Sequence, residues 1–147
     1  MEEYARALAD GIEAALPRWV EDCVQRIMTA WVGSVPTDVA DAASEAGRRA
    51  QESVAPQVRQ LLEADIDDQA TTPLAILRAA AVPYPTGVLR EAGVPPMQRD
   101  EMAERLFPDD VYDLTPASFA DLGPELRDVG LAWGAAKAFE HKRRHAS

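Results

Sequence analysis

LADGIEAALPRWVEDCVQRIMTAWV, residues 8–32, decides the fold class. Its apolar side chains fall at Leu8, Ile12, Leu16, Trp19 or Val20, Cys23, Ile27 and Trp31. Steps of three and four residues put them on one stripe of an α-helix, with most of the charged residues on the other side. The same phase extends back to Glu2, which predicts a helix over residues 2–31. Pro17 sits inside it. Proline has no N–H for the carbonyl four residues back, and its ring crowds the preceding turn. The stripe keeps phase across Pro17, so a kink or a close restart is expected there. Val20, Val24, Met28 and Val32 add apolar surface beyond one narrow stripe, more than a single packing face needs, and suggest a homodimer.

Working outward, residues 33–37 (GSVPT) read as a turn in which Ser34 or Thr37 caps the next helix. That helix is expected to reach about residue 64, with Val39, Ala43, Ala46, Ala50, Val54, Val58 and Leu61 or Leu62 on one face. Alanine dominates its first half, so another helix can approach closely; the Trp-bearing first helix is the expected neighbour. Pro56 is a second internal proline.

Beyond it the chain breaks into short pieces. Residues 65–72 form an acidic loop. Thr72-Pro73 is a cap followed by proline at the first helical position, and residues 74–82 form a short buried helix. Pro83-Tyr-Pro85 breaks it. Residues 86–91 make a turn or two closed by Gly93. Pro95-Pro96 opens a helix to about Leu106, Thr115-Pro116 starts a turn through Leu122, and Pro124 begins a last helix. Leu126, Val129, Trp133, Ala136 and Phe139 or Glu140 mark the buried stripe of that helix. No stretch carries the alternation of a strand. The expected fold is all-α, a single domain over residues 1–147. It is a compact helical bundle of two long N-terminal helices, several short Pro-capped helices and a C-terminal helix.

Composition bounds the function. A chain of 147 residues with 47% apolar content can bury a real core. A formal charge of −10 opposes binding to nucleic acid, whose phosphates need Lys and Arg to displace counterions, and opposes anionic membranes. The acidic opening Met1-Glu-Glu lacks the basic start of a signal peptide. The lone Cys23 closes no internal disulfide. A cytoplasmic location is expected.

The chemical motifs are thin. Asp65, Asp67 and Asp68 begin like a calcium loop, but Ala70 and Ile76 stand where such a loop needs glycine and a bidentate glutamate. His141 and His145 lie one helical turn apart, with no third zinc ligand in view; a basic helix end suits the helix dipole. No phosphate loop, Glu-x-x-His pair or nucleophile elbow occurs. Cys23, on the core stripe, reads as a structural thiol. No metal, cofactor or catalytic residue is assigned. Trp19, Trp31 and Trp133 read as core; any that are exposed together become partner anchors.

One stretch departs from plain amphipathic helix: LFPDDVYDLTPASFADLGPEL, residues 106–126. Asp109, Asp110, Asp113 and Asp121 alternate with Phe107, Tyr112 and Phe119. Its first reading is a locking loop, in which Phe107, Leu114 and Phe119 plug the core and the acids cap short helices. The alternative is a recognition surface made by Phe107, Asp109, Asp110, Tyr112, Asp113 and Phe119.

The run YPTGVLREAGVPPMQRDEMAERLFPDDVYDLTPASFADL, with the later GLAWGAAKAFEHKRR, resembles the C-terminal half of small actinobacterial helical proteins. The resemblance spans residues 73–144. It implies a bacterial cytoplasmic setting and brings no activity, cofactor or site residue with it.

The leading expectation is therefore a non-enzymatic helical protein that acts through contacts with a protein partner, as a regulatory or adaptor module. Two alternatives stand beside it. A small apolar ligand would sit between the alanine face of the second helix and the tryptophans. An enzyme would place Asp109, Asp110 or Asp113 in a cleft with Arg99, Arg105 or a terminal histidine.

Overall fold

The computed structural model describes residues 2–63, 73–96, 110–116 and 118–144. Among the described residues five α-helices follow in order: α1 Glu2–Val32, α2 Thr37–Glu63, α3 Pro73–Ala81, α4 Pro83–Glu91 and α5 Leu126–Arg144. A 3-10 turn spans Phe119–Asp121, and no strand occurs among the described residues. The all-α fold read from the periodicity is the fold observed. Two expected features, the 65–72 loop and the helix from Pro96 to Leu106, fall mainly on residues outside the described set.

The seam between α1 and α2 is the largest in the molecule. Leu8, Ile12, Leu16, Trp19, Val20, Cys23, Val24 and Met28 of α1 are buried there and against the other helices. From α2 come Ala43, Ala46, Ala50, Val54, Ala55, Val58 and Leu62. The buried face of α1 is therefore wider than one stripe. Val20, Val24 and Met28, the residues behind the expected homodimer, are used inside the chain's own core; only Val32 stays exposed. Ile27 is half-buried.

Pro17 neither ends α1 nor restarts it: one helix runs from Glu2 to Val32. The carbonyl that proline leaves without a helical donor is that of Glu13, four residues back. Gln51 of α2 supplies the replacement, its Nε2 donating to Glu13 O at 2.9 Å. Gly47, one turn earlier on α2, lies on the backbone of Pro17 itself. A Cβ at that position would stand 2.8 Å from Pro17 O and 2.9 Å from its Cα. Arg59 closes the far end of the seam, bonding the carboxylates of Asp10 and, at 3.2 Å, Glu13. With alanine and glycine at the contact the two backbones meet directly. The alanines of α2 at this contact are buried against α1.

α3 and α4 cover the other side of α2. Only one face of α3 is buried, at Pro73, Leu77 and Ala81. α3 ends at Ala81, just before the proline pair, and Pro83 and Pro85 lie inside the first turn of α4, which begins at Pro83 and not at Thr86. Prolines in a first turn forgo N–H groups that have no intrahelical partner in any case. α4 ends where Gly93 takes φ +83°, a conformation that side chains with a Cβ rarely adopt. Gly93 N–H bonds Arg90 O at 3.0 Å and Val94 N–H bonds Leu89 O at 3.1 Å, the paired bonds of a Schellman ending. Val94 is thereby turned into the core beside Leu89.

α5 crosses α1 at Gly11, over which Leu126 lies. Leu126 and Trp133 are buried and Val129 and Ala136 are half-buried. Phe139, assigned to the buried stripe from sequence, is instead 67% exposed.

Two substitutions test the seam. Gly47→Ala adds helix propensity worth about 1 kcal/mol, yet its methyl meets backbone that cannot swing aside. A net loss of about 1–3 kcal/mol is expected in urea unfolding, and a variant as stable as the parent would refute the contact. Gln51→Leu is expected to cost about 1 kcal/mol. In a Pro17→Ala background, where residue 17 regains its N–H, the same change should cost clearly less; a double-mutant cycle without coupling would contradict the exchange of donors.

Candidate functional site

The stretch from Asp110 to Pro124 wraps against α1 and α5. It is fastened at four points. Asp110 is buried, and its two carboxylate oxygens accept from Leu114 N at 2.8 Å and Thr115 N at 2.7 Å. Thr115 Oγ1 also donates to it. Tyr112 is 1% exposed, and its hydroxyl donates to Val94 O at 2.7 Å. Arg78 of α3 donates from Nε to Pro116 O at 2.7 Å. Phe119 meets Trp133 edge-on at 6.1 Å between centroids, and the Lys137 ammonium lies 5.1 Å from the same indole on its other contact.

The six residues named from sequence thus part company. Asp110 and Tyr112 face inward. Phe119 is half-buried on Trp133 and Gly130. Asp113 is exposed, in the left-handed region at φ +57°, which aspartate tolerates better than most residues. Phe107 and Asp109 lie outside the described residues. The turn expected to begin at Thr115-Pro116 begins at Ser118, whose N–H donates to the Asp121 carboxylate at 3.2 Å; Thr115 is engaged by Asp110 instead.

Fastened this way, the stretch forms one wall of a groove of about 1000 Å³, open to solvent. Asp113 to Pro116 and Ala120 to Pro124 line that wall; Arg18, Trp19, Asp22, Cys23, Arg26, Thr29 and Ala30 of α1 line the other. Arg18 reaches across to Glu125 at 2.6 Å. The Glu125 carboxyl is held below its ordinary range, first by its own backbone N–H and then by Arg18. The walls carry both signs of charge: Arg18 and Arg26 with Asp22, Asp113 and Asp121.

At one end the groove runs beside the tip of α1. Residues 29–34 are exposed on every side, so the last helical turn stands clear of the body. Trp31 is 44% and Val32 51% exposed there. Trp19 and Trp133 are core residues, as read from sequence; Trp31 is not. It keeps the phase of the stripe, but α2 starts only at Thr37 and the last turn of α1 is exposed at each residue. No sequence signal separates a stripe residue at the end of the bundle from one in its middle.

Nothing in the groove looks activated. Burial pushes the Cys23 thiol up to about 12, against the pull of Arg26, so it stays protonated where a nucleophile would need to be thiolate. Among the described residues no cluster of His, Cys, Asp or Glu is arranged to hold a metal, and no helix is long and apolar enough to cross a membrane. Asp110, the buried carboxylate, is committed to loop amides. Arg99, Arg105 and His145, named with it as enzyme candidates, fall outside the described residues. No protein-family model, curated protein or solved structure gives a significant match to this chain.

Two measurements follow from the fastening. Asp110→Ala strips two amides of their acceptor and is expected to lose about 2–3 kcal/mol of stability, with Asp110→Asn losing less; an unchanged urea midpoint would show that the lock does not exist. Cys23 titrates near 9.0 unfolded and near 12 folded. Between those values the unfolded chain binds fewer protons, so stability should fall as pH rises above 9. Cys23→Ala should flatten that slope, and a slope unaffected by the substitution would place the thiol in a different environment.

Proposed function

We propose that this chain is a protein-contact module in which the groove and the α1 tip receive a segment of another protein. The observation that carries it is the exposed last turn of α1, where Trp31 and Val32 directly follow Thr29 and Ala30 of the groove wall. Tryptophan is enriched among the residues that dominate binding energy at protein interfaces. An exposed aromatic on a rigid helix pays little conformational entropy on binding.

The groove suits a peptide segment that carries both polar and apolar side chains. Its walls alternate in charge and it is open along its length, so the bound segment would place an apolar anchor on Trp31 and polar groups between Arg26 and Asp113. Within the described part of the 106–126 stretch, Asp110 and Tyr112 hold the wall, and Asp113 and Asp121 line the groove.

The test is native mass spectrometry of the protein gently purified from its own cells, beside a Trp31→Ala/Val32→Ser variant. A second, different chain in the parent spectrum, lost in the variant while the unfolding temperature holds, is the expected result. A parent without a different bound chain, a bound small molecule in its place, or a variant that keeps the partner would each overturn the proposal.

A further inference from the structure

The outward face of α5 offers a second surface, independent of the groove. Leu131 is 65% and Phe139 67% exposed, both above Trp31. They are eight residues apart, two turns and roughly 12 Å along the axis, with exposed Ala135 midway between them. Asp128 lies one turn before Leu131 and Lys142 one turn after Phe139, both exposed. At 100° per residue these five side chains fall within about 40° of Ala135 on the helical wheel. The opposite side of α5 is the docked one, carrying Leu126 and Trp133.

This stripe is symmetric about Ala135 in position and antisymmetric in charge. Reversed end for end, it presents an apolar residue to each apolar residue and a cation to each anion. We infer that α5 pairs with α5 of a second copy, antiparallel, about a twofold axis through Ala135. Leu131 then packs against the partner's Phe139, and Asp128 reaches the partner's Lys142. By symmetry each contact is made twice. Ala135, with the small Ala132 and Ala138 beside it, lets the axes approach to the 8–10 Å of packed helices. A different protein would need no such symmetry, whereas the stripe's complement to its own reversal suits a second copy. One helix pair buries less than a standard interface, so the dimer is weak, with Kd on the order of 10 µM.

Sedimentation equilibrium of the full chain from about 5 to 200 µM tests this, a range that brackets the expected Kd. The parent should dimerise reversibly. Asp128→Lys and Lys142→Asp each set two like-charged pairs across the axis and should each weaken dimerisation on the order of tenfold. An equimolar mixture of the two variants restores opposite charges at both contacts and should associate more tightly than either alone. Ala135→Cys should cross-link to itself under mild oxidation, and Thr37→Cys, exposed at the start of α2, should not. A parent that stays monomeric at 200 µM, a dimer indifferent to both charge changes, a mixture without recovery, or equal cross-linking at position 37 would overturn the pairing. None of these outcomes bears on Trp31 or the groove, and loss of a groove partner leaves this dimer untouched.

Discussion

A proline in the middle of a long helix leaves one carbonyl without its donor, and the α1–α2 seam is organised around that vacancy. Glu13 O is filled from α2 by Gln51, and the backbone at Pro17 is flanked by Gly47. The two devices are complementary. The glycine lets the helices come close enough for a glutamine to span the gap, and the glutamine gives the Glu13 carbonyl a donor in place of the missing N–H. The alanines of α2 extend the same closeness along the seam. Since α1 also supports α4 and α5, its straight run past Pro17 fixes where the rest of the chain lands.

The second layer of organisation is polar and local. Among the described residues 110–116 and 118–124 few regular backbone hydrogen bonds are made, so the backbone groups there need other partners. Asp110 takes two amides and a hydroxyl, Tyr112 a carbonyl and Arg78 another. These bonds turn an irregular stretch into a wall, and a groove needs a wall that does not move. Structural and surface roles are thus divided within one stretch by the direction each side chain faces.

Periodicity made the long helices legible because a stripe is a local property, readable within a dozen residues. It also placed Trp19, Ala43, Ala50, Val58 and Trp133 correctly in the core. What it missed is relational. The accommodation of Pro17 depends on Gln51, which lies 38 positions from the Glu13 carbonyl that it bonds. The fate of Trp31 depends on where neighbouring helices stop, and that of Phe139 on its phase, about 120° around α5 from the docked Trp133. Val20, Val24 and Met28 were read as surplus because one partner helix was assumed, whereas α1 meets α2, α4 and α5. In the 106–126 stretch, composition announced something irregular, but it did not distinguish the buried Asp110 from the exposed Asp113; the two are chemically identical and three residues apart. The Schellman ending at Gly93 was legible as a glycine stop, while the task of its next residue, accepting the Tyr112 hydroxyl, was not.

That hydroxyl has a consequence for how the protein can change over generations. The Tyr112–Val94 bond pins two points of the chain that lie 18 residues apart in sequence. Both ends are buried. Position 112 is therefore held to a side chain that joins an aromatic body to a hydroxyl, whereas position 94 contributes its backbone carbonyl and can exchange one apolar side chain for another without losing the bond.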